Sequence, residues 1–283
     1  FGVFWPLPAF LLLSVTEIWR ERRSALVVFC AAWFIPSWVV FELVATKLPH
    51  YTMPLLPALI LPVAASLVDG KEEASSAALR WIAAVLLVVP VVGIAVGSFA
   101  GPAFLGAWPS PPGVVLCVIG AVLAVMAGHR IIKSETLRAV PATLGASIFV
   151  AVGIWGFVGP ALTTIWISPR LVEAIADVPS CARADVVTSG FHEPSFIFLQ
   201  GTNTRIVSPE EAAKHLTEKA ADGESGCRIA VIESRREDAF LSALKAEGLV
   251  PVLASRVDGL NINGGKDMDI GLYLPPAENS EPK

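Results

Sequence analysis

Lys47, His50 and Tyr51 fall within the stretch TKLPHYTMPLLP, residues 46–57, between two long apolar runs. An ammonium, an imidazole and a phenol thus stand beside Pro49, Pro54 and Pro57, which bend the backbone around them. Pro49 has no N–H to donate and pushes Leu48 out of the α region, so a helix must stop there. Freed backbone groups and three polar side chains at one level of a bilayer can hold an anionic lipid headgroup. The same residues also suit plain interfacial anchoring, with the lysine stem lying along apolar surface and its charge in water.

A second set is His192, Glu193 and Ser195 in GFHEPSF, residues 190–196. It follows a predicted strand, which in an open α/β sheet is the carboxyl edge where ligands bind. That makes the three residues candidates for substrate contact. The alternative is a tight strand-to-helix turn in which Glu193 and Ser195 satisfy helix-end amides. Other chemistries find no support. No glycine-rich phosphate loop is present, and Gly264-Gly265 before Lys266 reads as a turn. No His or Cys pair has zinc spacing, so no metal site is visible and the cofactor is unknown. No nucleophile elbow is found. His129 in a loop and His215 on a helix face read as solvated side chains.

The elements that must position these residues divide in two. Charged residues make up only 16% of the 283, against about 25% in soluble proteins. Residues 1–166 carry 9 Lys+Arg and 7 Asp+Glu, whereas 167–283 carry 12 and 18. Six apolar segments are predicted in the first part: about 1–18, 24–45, 51–68, 79–99, 110–128 and 140–162. Most approach the roughly 20 residues needed to cross hydrocarbon. The chain opens at Phe1 inside an apolar run, without a charged leader or cleavage site. It reads as the C-terminal part of a longer membrane protein.

Loop charges set the orientation. Arg20, Arg22 and Arg23, then Lys71 and Arg80, then Arg130, Lys133 and Arg138 fall in alternate loops, and Lys47 is the single cation in the others. That bias puts the basic loops in the cytoplasm and both the 46–57 stretch and the C-terminal body outside. Glu42, near the outer end of the second segment, is either a functional acid within a span or a helix-end partner of Lys47.

From Ser168 the pattern alternates strands and helices, predicting a small, largely parallel α/β layer over 167–275. The expected strands are 185–190, 204–208, 228–234 and 250–255, with a closing hairpin over 260–275. Ser208, Pro209, Glu210 and Glu211 mark a helix start. Residues 276–283 read as a disordered tail. Cys181 and Cys227 each precede a predicted strand in a compartment where disulfides persist, so they are candidates for a disulfide, with two free thiols as the alternative. Cys30 and Cys117 read as small buried residues. The acidic outer part argues against nucleic acid.

TKLPHYTMPLLPALIL, followed by further spans and an outer GFHEPSFIFLQGT segment, resembles the C-terminal half of the bacterial aminoarabinose transferase / protein mannosyltransferase-like family of GT-C membrane glycosyltransferases. Its KLPxY signature is met by Lys47, Leu48, Pro49 and Tyr51. The likeness extends over most of the chain and is strongest at 33–62. It implies an α-helical polytopic membrane protein of about six spans followed by a small α/β extracytoplasmic domain. It also implies transfer of a sugar from a polyprenyl-phosphate donor to a lipid or protein acceptor. That chemistry would take place on the periplasmic side of the bacterial inner membrane. Lys47, His50 and Tyr51 would then bind the phosphate of the lipid carrier, where exclusion of water strengthens charge. Catalysis in that family relies on an acidic residue of the first outer loop. This sequence has no counterpart, so the fragment alone is expected to be inactive. The competing reading is a non-catalytic membrane anchor presenting a periplasmic α/β binding module.

Overall fold

The computed structural model describes residues 5–45, 49–69, 75–179, 184–218, 227–261 and 264–276. The chain divides into two compact units, Phe1–Ala161 and Leu162–Lys283.

The first unit is helical. It comprises α1 (Leu7–Arg20), α2 (Ala25–Leu43), a 3-10 turn (Pro49–Leu55), α3 (Leu56–Val68), α4 (Ala77–Phe104), α5 (Pro111–Ile132) and α6 (Thr136–Gly153). A π-helical stretch, Ile154–Val158, and a short helix α7 (Gly159–Ala161) close it. Ser24 and Ser76 cap α2 and α4, their hydroxyls accepting from Val27 N and Leu79 N at 3.3 Å. Pro111 and Pro112 sit in the first turn of α5, where their missing N–H groups cost nothing. His129 is exposed in the last turn of α5 rather than in a loop. Among the described residues, five helical segments are long and apolar enough to cross a membrane: 25–43, 51–68, 77–104, 111–132 and 136–161.

Small residues bring α5 and α6 close together. Gly113, Cys117, Gly120 and Ala124 recur along one buried face of α5. A Cβ on Gly120 would meet Val150 Cγ2 at 2.7 Å and the Ala146 carbonyl at 3.2 Å. Without hydrophobic driving force between spans, such close approach lets dispersion hold helices together in lipid. Cys30 and Cys117 are free and buried. On α2, by contrast, Cys30 alone among the described side chains is buried.

The second unit places helices on both faces of one sheet. It contains a 3-10 turn (Thr163–Ile165), α8 (Ile167–Ala176), β1 (Ala184–Ser189), α9 (Pro194–Gln200), β2 (Arg205–Ile206), α10 (Pro209–Thr217), β3 (Cys227–Glu233), α11 (Ser234–Ala246), β4 (Val252–Asn261) and β5 (Lys266–Leu274). The strand order is β2-β1-β3-β5-β4. The first three are parallel, while β5 runs antiparallel to both β3 and β4. Alternation along the strands sends Val186, Ile229, Val231 and Ile270 to a core with Leu171 of α8 and Phe196 of α9. Val187, Ala230 and Ile232 point to the other face, against Leu216 of α10 and Phe240 of α11. At α10 the capping box is complete: Glu211 N donates to Ser208 Oγ at 3.2 Å, and Ser208 N to Glu211 Oε2 at 3.0 Å.

Two sequence expectations are corrected here. A strand at 250–255 and a separate hairpin over 260–275 are in fact one long strand, β4, paired with β5 along its length from Val252↔Leu274 to Asn261↔Lys266. The polar run SRVDG looks like a break, but an edge strand tolerates it. A bulge between Leu253 and Ser255 absorbs the register shift. Gly259 then passes so close to the start of α8 that a Cβ there would meet Ile167 Cγ1 at 2.5 Å.

The second correction is His215, which is not solvated. It is 4% exposed. Its Nε2 donates to the Asp185 carbonyl at 3.0 Å, and its Nδ1 accepts from Arg205 Nη2 at 2.9 Å. Charge on the helix bearing it says little; the facing strand β1 supplies the partners. Burial lowers the affinity of this imidazole for a proton below its ordinary value of 6.5, reinforced by Arg205 and Arg228 and opposed by Asp185. A base whose folded pKa is depressed takes up its proton more readily when unfolded, so acid favours unfolding. The His215 contribution is therefore complete above pH 6.5 and lost as pH falls below it. Denaturant midpoints measured from pH 7.5 to 5 should fall for the native chain, with a shallower fall in His215→Gln.

Candidate functional site

The carboxyl ends of β1 and β4 lie at the same edge of the sheet, since both strands run in the same direction. There a cleft of about 320 Å3 opens within the second unit, walled by the start of α8, the β1–α9 loop and the end of β4. Its volume is at the lower bound for small-molecule sites, roughly 300–1,000 Å3.

Each wall is fixed from behind. Thr188 Oγ1 donates to the Phe191 carbonyl at 2.6 Å, closing the loop after β1. Gly190 takes φ +87 to turn the chain out of the strand. Phe191 then buries its ring against Phe196, centroids 5.7 Å apart. With Phe191 fixed, Glu193 is held over the cleft half-buried, and its Oε1 accepts from Asn261 Nδ2 at 3.0 Å. Ser195 hydrogen-bonds Ser168 through their hydroxyls at 2.9 Å. Arg170 ties α8 to β4, donating to the Asp258 carbonyl at 2.5 Å.

The sequence reading left open whether Glu193 and Ser195 face a ligand or cap the helix. Glu193 makes no side-chain bond to the end of α9, and the hydroxyl of Ser195 is paired with Ser168. Both line the cleft. His192 is exposed and does not line it. Ser168, Trp166 and Asn261 are functional candidates that sequence reasoning missed. Asn261 is 68 residues from Glu193, and splitting β4 hid the strand that delivers it. Against Gly190, Glu233 at the end of β3 is 3% exposed and accepts from Arg235 Nε.

In the first unit, Tyr51 is half-buried and stacks on Phe41, centroids 6.1 Å apart and planes 21° apart. His50 lies in the 3-10 turn, its side chain outside the described residues, as is Lys47. Glu42 is exposed near the end of α2. Cys227 opens β3 and is disulfide-bonded; Cys181 lies outside the described residues, as does the tail from 277 onward. Among the described residues, no group of three or more His, Cys, Asp or Glu side chains could hold a metal ion.

No family model matches the chain. It is 40% identical over 67 residues to the undecaprenyl phosphate-alpha-4-amino-4-deoxy-L-arabinose arabinosyl transferase of Pseudomonas aeruginosa, a match spanning 24% of this chain and 12% of that protein. To the corresponding transferase 1 of Pseudomonas fluorescens it is 37% identical over 76 residues, 26% of this chain and 13% of that protein. Among solved structures, ArnT from Cupriavidus metallidurans bound to undecaprenyl phosphate superposes with a TM-score of 0.50 at 13% identity. That superposition covers 99% of this chain and 53% of ArnT. Over about a quarter of its length the chain resembles these aminoarabinose transferases.

At 13% identity the likeness to ArnT concerns the fold alone: apolar helices followed by a small sheet. The chain spans about half of that structure.

Proposed function

We propose that this chain supplies part of the lipid-carrier site of a membrane glycosyltransferase, which moves a sugar from a polyprenyl-phosphate donor to a lipid or protein acceptor. The observation that carries the reading is the 40% identity over 67 residues with arabinosyl transferases named for an undecaprenyl-phosphate-linked amino sugar. The fold it shares with an undecaprenyl phosphate-bound ArnT agrees with this. In the reading, α1 joins the five longer helices as a sixth span. The basic loops face the cytoplasm of a bacterial inner membrane, and the second unit stands in the periplasm with Cys181 bonded to Cys227. Lys47, with His50 and Tyr51, meets the carrier phosphate: the ammonium neutralises it and the phenol donates to its oxygens.

The test is undecaprenyl phosphate binding to the full chain in nanodiscs, read by native mass spectrometry. Lys47→Ala should weaken binding about tenfold or more, and Tyr51→Phe a few-fold, as expected for charged and neutral hydrogen-bond partners. Unchanged affinity in both variants overturns the phosphate role.

A further inference from the structure

The cleft in the second unit holds a carboxylate that no described cation neutralises. Glu193 is half-buried, and among the described residues the one hydrogen-bond partner of its carboxylate is the neutral amide of Asn261. Among the described residues it forms no ion pair. Arg170 is instead paired with Asp258 and Arg235 with Glu233. A carboxylate partly withdrawn from water without an opposite charge is costly, and a ligand cation would relieve that cost with a charge-assisted hydrogen bond.

The remaining walls narrow the kind of cation. Ser168 is 4% exposed, and its hydroxyl and that of Ser195 share a single hydrogen bond. A hydroxyl pair joined by one bond keeps one hydrogen to donate and several lone pairs to accept, which suits ligand hydroxyls. Trp166, 44% exposed, gives the mouth an aromatic face. Leu199 and Leu260 complete an apolar wall. An indole face accommodates both the C–H side of a saturated ring and a neighbouring ammonium. A carboxylate, an amide, two hydroxyls and an indole around about 320 Å3 fit a compact ring that carries hydroxyls and an amine together. A plain alkyl amine would leave the serines unused, and a neutral sugar would leave Glu193 uncompensated.

We infer that this cleft binds an amino sugar in its ammonium form. Glu193 pairs with the ammonium, Ser168 and Ser195 bond ring hydroxyls, and the Trp166 indole lies along the ring. The choice of a sugar among hydroxylated amines rests on the glycosyltransferase reading above. The groups involved come from separate elements (α8, the β1–α9 loop, α9 and β4), so the cleft exists only in the folded unit.

The experiment uses the full chain in detergent micelles, with 4-amino-4-deoxy-L-arabinose and L-arabinose as probes, calorimetry and saturation-transfer NMR as readouts, and undecaprenyl phosphate titrated into the same samples. The amino sugar should bind at least tenfold more tightly than the neutral one. Glu193→Gln keeps an oxygen to accept from Asn261, so it preserves the wall while removing the charge. It should weaken the amino sugar about tenfold, as for loss of a hydrogen bond to a charged group, and leave L-arabinose unaltered. Trp166→Ala should weaken both. Equal affinity for the two sugars, no binding of either, or an amino-sugar affinity indifferent to Glu193→Gln overturns the inference. Failure of the carrier to bind while the amino sugar still does overturns the glycosyltransferase reading and not the cleft; the reverse overturns the cleft alone.

Discussion

Gly120→Leu is expected to separate α5 from α6 and leave a first unit that no longer unfolds cooperatively. The Cβ alone would stand 2.7 Å from Val150 Cγ2 and 3.2 Å from the carbonyl oxygen of Ala146. Val150 can rotate, but Ala146 O belongs to the backbone of the facing helix and moves only if the helix does. Leucine adds three further carbons to a seam already closed by Gly113, Cys117 and Ala124, all buried. Overpacking of this kind costs about 1–3 kcal/mol where the surroundings yield, and more where they are backbone. Cys117 reports the outcome directly. It is 0% exposed and free, so a thiol reagent in detergent should label it slowly in the native chain and rapidly in Gly120→Leu. Val122→Leu is the control, since Val122 is 54% exposed and an extra carbon there meets lipid or detergent. Equal labelling and equal melting in all three proteins would show that the helices do not depend on this contact.

Local signals were legible in the sequence wherever a single element decides the structure. Ser208-Pro209 with Glu211 specifies its own helix start, and the structure builds that capping box in full. Pro111 and Pro112 open α5 for the same reason, because a proline at the first turn has no N–H to waste. Glycines at Gly248 and Gly265 stand at positive φ where a helix and a hairpin turn end. What escaped is whatever two distant segments decide together. The imidazole of His215 sits on a helix whose own sequence is polar. Only β1, thirty residues earlier, offers it the Asp185 carbonyl and takes it out of water. Asn261 reads as the first arm of a separate hairpin over 260–275, yet it ends the ten-residue strand β4, whose pairing with β5 carries it to Glu193. The carboxyl-edge rule did point to the loop after β1, so Glu193 and Ser195 were legible as ligand candidates. Ser168 and Trp166 were not, because their place in the cleft depends on how closely Gly259 lets β4 approach α8.

The same dependence makes Gly190→Val the sharpest test of how the cleft is held. Gly190 has φ +87, a region that a β-branched residue enters only under strain, at about 1–2 kcal/mol. Its added Cβ would meet Glu233 Cβ at 2.8 Å and Arg236 Cγ at 3.0 Å. Glu233 Cβ is rooted in β3 and cannot swing away. Overpacking adds about 1–3 kcal/mol, so a loss of about 3 kcal/mol in the second unit is expected, with the loop carrying Phe191 and Glu193 forced outward. Two causes are thereby separable. If the clash with Glu233 dominates, combining Gly190→Val with Glu233→Gly recovers stability beyond the sum of the single changes. If backbone strain dominates, the two losses add. Chemical denaturation of the four proteins decides between them, and the amino-sugar titration in the same set shows whether Glu193 keeps its place. A native-like midpoint for Gly190→Val would mean that the turn after β1 is not the fixed point of the cleft wall, and that the Thr188–Phe191 bond alone holds it.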